Sequence, residues 1–239
     1  MLSSKRYIGM MEKIVSIYVD CGISSLPFDC FTVLKFYGFR IFTYSQLRKQ
    51  NLRLYNIMTA YTQDSLIWGD IIAYNEKAAP NRIRFSLMHE FGHYVFGHEE
   101  EGQKEENEAD MFAASVLAPY ILIHKFKCKN ANQVHDTFGL SYMASNKALL
   151  SYKEWFRNIS YSATRKPTEP EQQLEHIFFP EPNLIPLMEG IVQPARECYT
   201  ENNEEELDER SNFMKFLGRW RGDLGFGIAE DKWLYGNDL

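Results

Sequence analysis

The chain lacks any closely spaced cysteine pair. Its four cysteines, Cys21, Cys30, Cys128 and Cys198, stand far apart and none forms CxxC, which argues against a thiolate zinc site and against a dense disulfide framework. Nothing near Cys30 or Cys198 in sequence would lower a thiol pKa, so a nucleophilic cysteine is not expected. Basic residues are also short. Lys and Arg number 26 against 32 Asp and Glu, for a net charge of -6, and no stretch gathers enough of them to follow a phosphate backbone. Direct nucleic-acid binding is therefore not expected. The longest apolar run, residues 111–123, is too short to cross a bilayer and is broken by Ser115 and Pro119. Near the N-terminus, Lys5 and Arg6 precede only a short apolar stretch before Glu12 and Lys13, which is not the pattern of a secretory signal. A cytoplasmic protein with no membrane partner is the expectation. No internal repeat is visible.

What remains is ordinary globular material. With 239 residues, 45% hydrophobic and 24% charged, the chain suits one medium domain, or a core of about 150 residues with an appendage. Residues 26–37 carry Pro27 at a plausible first helical position and Phe28, Phe31, Val33, Leu34 and Tyr37 at helical spacing. Gly38 stops that helix, and residues 39–44 alternate as a strand does. Residues 66–75 form a second strand region, a bulged strand or a hairpin around Gly69-Asp70. A helix over 82–96 follows, with Asn81 as its cap and Gly97 as its stop. Beyond an acidic loop starting at Glu99, a helix from about 105 to 117 ends before Pro119, and helical pattern returns over 131–138 and 142–155, the latter opening at Ser141. After residue 160 prolines accumulate, and a boundary is placed near 162. A helix over 204–217 and a hairpin over 224–235 are the readings for the remainder.

The helix over 82–96 contains His89-Glu90-Phe91-Gly92-His93, an HExxH pattern. Residues four apart stand one above the other on a helix, so both imidazoles can face one ion. Glu90 is turned about 100° from His89, close enough to hold a water but outside the ligand set. Leu87, Met88, Phe91 and Val95 make an apolar stripe away from the histidines, so burial and chemistry use different faces. A catalytic zinc site takes three protein ligands and leaves a fourth position open, so a third donor is needed. Glu106 on the next helix is the strongest candidate, with Asp110 one turn later placed to orient an imidazole through its free N–H. Glu105 and Glu108 point elsewhere on the helical wheel and rank lower. His98 falls at the wrong offset for a third histidine ligand and is read as bonding near the helix end. His124, His135 and His176 are isolated.

The stretch from 75 to 119 resembles the ImmA/IrrE family of metallo-endopeptidases. The matching text is Asn75-Glu76, Arg84-Phe85, HEFGHYVFGH over 89–98 and ENEADMFAASVLAP over 106–119; weaker likeness extends over roughly 24–160. The resemblance implies an α+β fold: a minimal zincin-like core with a small, mostly antiparallel sheet, the HExxH helix and a glutamate-bearing helix. It aligns Glu106 with the third ligand of a Zn2+ ion and Asp110 with the supporting position. The expected organisation is a metallopeptidase domain over 1–162 and a C-terminal region of unassigned role over 163–239. The implied function is zinc-dependent endopeptidase, with His89, His93 and Glu106 as ligands and Glu90 as catalytic base. Members are often encoded by phages and mobile elements and act on a helix-turn-helix repressor, which is the implied partner. Two rivals stand beside it: a regulatory protein that keeps the scaffold but binds a transcription factor without cutting it, and a DNA-binding module built on the helix after Ser141, which the acidic balance disfavours.

Overall fold

The computed structural model describes residues 4–98, 102–160 and 166–180; Cys198, the acidic residues 99–101 and the segments 204–217 and 224–235 lie outside them. In chain order the elements are α1 (Ser4–Asp20), α2 (Cys30–Phe36), β1 (Arg40–Thr43), α3 (Tyr44–Gln50), α4 (Leu52–Tyr61), β2 (Ser65–Trp68), β3 (Ile71–Tyr74), α5 (Pro80–Phe96), α6 (Gln103–Leu117), α7 (Tyr120–Lys125), α8 (Ala131–Phe138), α9 (Tyr142–Ser160) and α10 (Glu169–Phe178). The expected α+β class holds.

The sheet has three strands in the order β1-β3-β2. β2 and β3 form the hairpin around Gly69-Asp70, pairing Leu66 with Ala73 and Trp68 with Ile71. β1 runs parallel to β3, so the sheet is mixed, with one parallel and one antiparallel pair. Parallel neighbours need a crossover, and α3 and α4 supply it while covering the outer face. Alternate side chains then go to opposite layers. Leu66, Trp68, Ile71 and Ala73 pack with Tyr44, Leu47, Leu54 and Met58 of α3 and α4, whereas Ile67 and Ile72 join the main core with Phe91. Burial on both faces is why β2 and β3 read as nearly continuous apolar runs.

Two helix starts differ from the sequence reading. α2 begins at Cys30, because Asp29 caps it by accepting from the Phe31 N–H at 2.9 Å; Pro27 lies before the helix. α5 begins at Pro80 with Ala79 as its N-cap, so Asn81 sits inside the first turn. Pro80 suits that place because the first-turn N–H has no partner within the helix anyway. Ser141 does open α9, accepting from the Ala144 N–H at 3.1 Å. The helices α1, α3, α4, α7 and α10 were not read from the sequence. α10 begins at a proline-containing turn, where buried Glu171 accepts from the Tyr7 hydroxyl and the Trp155 indole N–H, each at 2.8 Å. Those bonds tie residues 166–180 to α1 and α9.

The site depends on how closely α5 and α6 approach. Phe85 to His93 are all buried on α5, and Ala109, Phe112, Ala113 and Val116 of α6 are fully buried. At the crossing, a Cβ added to Gly92 would lie 3.0 Å from Phe112 Cδ1 and 3.2 Å from the Ala109 Cα. The second neighbour is backbone and cannot rotate away, so Gly92 sets the helix separation. Gly92→Ala is expected to push the helices apart by a few tenths of an ångström and to cost roughly 1–3 kcal/mol by overpacking, measured as a lower urea midpoint at unchanged slope. An unchanged midpoint would mean that the contact is not limiting.

Candidate metal centre

α5 places His89 and His93 one turn apart with their rings 2% and 6% exposed. Glu106 lies in the first turn of α6, where the helix dipole favours a carboxylate, and the close crossing brings it over the histidines. Glu106 Oε2 is 3.4 Å from His89 Nε2, Glu106 Oε1 is 3.3 Å from His93 Nε2, and the two Nε2 atoms are 3.1 Å apart. All these donor atoms fall within 4.8 Å of one another. Four donors at about 2.0–2.1 Å around one zinc ion would be separated by roughly 3.3 Å along each tetrahedral edge. The residues present therefore fit a metal ion held by His89, His93 and Glu106.

The chemistry of the donors points the same way. The Nδ1 of His89 is 2.7 Å from Asp110 Oδ1, so the ring N–H goes to the carboxylate and Nε2 keeps its lone pair. His93 also turns its Nε2 toward the same point. Two imidazole lone pairs and a carboxylate facing one another require a cation between them, whether a proton or a metal ion. Burial works against an imidazolium, yet the hydrogen bonds to Asp110 and Glu106 outweigh it and raise the pKa of His89 well above the ordinary value.

Glu90 is 1% exposed. Its Oε2 accepts from the Ile67 N–H of β2 at 3.3 Å, which ties the carboxylate to the edge strand of the sheet. The charge on Glu90 also reaches the buried Tyr44 hydroxyl; burial first, then this carboxylate, raises the phenol pKa. Tyr44 itself donates to the Thr62 carbonyl at 3.2 Å.

The remaining sequence candidates separate clearly. Glu108, a lower-ranked rival for the third ligand, faces away from Glu106 and sits 3.4 Å from His98 Nε2 and 3.1 Å from Arg6 Nη2. Glu105 lies against Gly102 and pairs with Lys104 at 3.8 Å. His98 returns to the helix: Gly97 takes the left-handed conformation at φ +63° and the His98 N–H bonds the His93 carbonyl at 3.0 Å. That turn sets His98 Nδ1 3.0 Å from His93 Nδ1. His124 meets Tyr152, His135 meets the Leu140 carbonyl, and His176 ends α10. Among the described residues, His89, His93 and Glu106 form the cluster that can hold a metal.

Sequence reasoning missed Arg6, the Ile67 N–H and the partners of Glu108, whereas the reading of His98 as bonding near the helix end holds. Gly97-His98 was the visible signal, since a glycine stop folds the next side chain back on the last turn.

No curated protein and no solved structure matches the chain. Residues 43–150 match the family model Peptidase_M78, described as IrrE N-terminal-like domain, which runs from the last residue of β1 to the middle of α9 and includes both helices of the site. Residues 43–150 are thus similar to an IrrE N-terminal-like domain of a peptidase family, in agreement with the resemblance carried by the HEFGH and ENEAD text within them.

Proposed function

We propose that the protein is a zinc-dependent endopeptidase in which His89, His93 and Glu106 hold the ion, Glu90 is the catalytic base and Asp110 orients His89. The observation that carries this reading is the gathering of three donor atoms within 4.8 Å beside the buried Glu90 carboxylate. A zinc ion held there supplies Lewis acidity and brings the pKa of a nearby water from about 15.7 toward about 7. Glu90 takes a proton from that water on a carboxylate oxygen and returns it to the leaving nitrogen as the C–N bond breaks. Water thus adds across one peptide bond, giving a new carboxylate and a new amine. An extended substrate would lie along β2, the sheet edge from which Ile67 reaches Glu90, and gain affinity from main-chain hydrogen bonds.

In this reading the peptidase domain occupies 1–162, and 163–239 is an appendage whose residues 166–180 fold back onto the core. The substrate is a regulatory protein such as a helix-turn-helix repressor of a phage or mobile element, met in the cytoplasm. The net charge of -6 suits a basic, DNA-binding substrate, and no helix among the described residues is long and apolar enough to cross a membrane.

Metal analysis of the purified chain is expected to find about one zinc per molecule, lost in His93→Ala and in Glu106→Ala. Near-stoichiometric zinc persisting in both variants would mean that the ligands lie elsewhere. Glu90→Gln is expected to keep its zinc but to cleave a proteome-derived peptide library on the order of 100- to 10,000-fold more slowly, read by mass spectrometry. If Glu90→Gln still fully relieves repression in cells while holding zinc, the protein acts by binding its target and not by cutting it.

A further inference from the structure

The two histidines of the site are supported unequally. His89 donates its Nδ1–H directly to a carboxylate, Asp110, at 2.7 Å. His93 instead meets another imidazole, with its Nδ1 3.0 Å from His98 Nδ1. Only one of those nitrogens can carry the shared proton. Since His93 Nε2 faces Glu106 and His89, its lone pair belongs there, and its proton must sit on Nδ1. His98 Nδ1 must then accept, which leaves the His98 proton on Nε2. That atom lies 3.4 Å from Glu108 Oε2, and the same oxygen takes a hydrogen bond from Arg6 Nη2 at 3.1 Å.

Each member is fixed by a separate device. Gly97 folds His98 back, and Phe96 stacks on its ring at 5.7 Å with an interplanar angle of 16°. The side chains of His98 and Glu108 are only 7% and 11% exposed. Glu108 stands on α6 and Arg6 on α1, so the chain of contacts runs across three helices. α1 lies outside residues 43–150, the stretch matched by the peptidase family.

We propose that His98, Glu108 and Arg6 form a positioning relay for His93, which fixes its ring and tautomer for metal binding and couples helix α1 to the site. The proposal rests on the zinc reading above. His98 is a positioning residue: it does not reach the ion but presents an acceptor to the imidazole that does. The Glu108 carboxylate holds His98 in the accepting tautomer, and the Arg6 guanidinium holds Glu108. Partners of this kind commonly alter metal affinity by 10- to 100-fold.

The test is the zinc Kd of the full chain, measured by competition with a chromophoric chelator. His98→Leu is expected to weaken binding by about 10- to 100-fold, and Glu108→Gln by about 10-fold. His98→Asn should fall between wild type and His98→Leu, because its amide oxygen can still accept from His93. Once His98 is Leu, adding Glu108→Gln should change the Kd no further, the non-additivity of groups that act in series. Long-range 1H–15N spectra of the zinc-loaded wild type should place the His98 proton on Nε2. That spectrum decides the matter even if His98→Leu fails to fold. Wild-type Kd values in the His98 and Glu108 variants, fully additive losses, or a proton on His98 Nδ1 would each overturn the relay while leaving the zinc reading intact. A wild-type chain that binds no zinc would overturn both.

Discussion

The close approach of α5 to α6 is the constraint on which the site rests. A glycine at 92 against the backbone of Ala109 lets two helices meet with almost no side chain between them, and the first turn of α6 then overhangs the last turns of α5. The histidines are aligned by the helical repeat alone, but a carboxylate from another element reaches them only if the axes are this near. Phe91 and Phe112 hold the crossing from the core side, with their ring centroids 6.1 Å apart and both side chains fully buried. Packing on one face thus fixes the geometry of donors on the other.

Electrostatics adds a second requirement. Glu90 and Asp110 are buried, Glu106 is partly buried, and all three carboxylates crowd two imidazoles. Burial of that much negative charge is costly unless it is matched. The arrangement supplies partners unevenly: Asp110 has the His89 ring, and Glu90 has the Ile67 N–H. The excess falls at the point where Glu106 and the two Nε2 atoms converge, so the same geometry that satisfies coordination also concentrates the demand for a cation. A metal held by His89, His93 and Glu106 would relieve that burial cost in the same event.

Structure outside the helical pair frames this centre. α1 donates to the Val95 carbonyl at the end of α5 through Lys13, to the Val116 carbonyl at the end of α6 through Tyr18, and to Glu108 through Arg6, at 3.1, 2.8 and 3.1 Å. The first two satisfy carbonyls that helix ends leave open, and all three draw the two helices toward a common support. On the opposite side the hairpin of β2 and β3 meets Glu90 through its edge. The candidate site thus sits between a helix that braces it and the edge strand whose Ile67 N–H meets Glu90.

Residues near in sequence were legible in the sequence. The HExxH repeat, the Gly97 stop, the hairpin at Gly69-Asp70 and the α8 span follow from backbone periodicity and turn chemistry, which act over a few residues. Glu106 and Asp110 could be ranked over Glu105 and Glu108 because the helical wheel separates them. Long-range partners were not legible. That Arg6 reaches Glu108 across 102 positions, that Tyr7 and Trp155 share buried Glu171, and that β1 pairs in parallel with β3 depend on how finished elements pack. The sequence alone determined which side chains share a face on α5 and α6 and where α2, α5, α6 and α8 stop. Only tertiary packing decided which faces meet, because the close contact that joins them is made between surfaces that no local rule brings together.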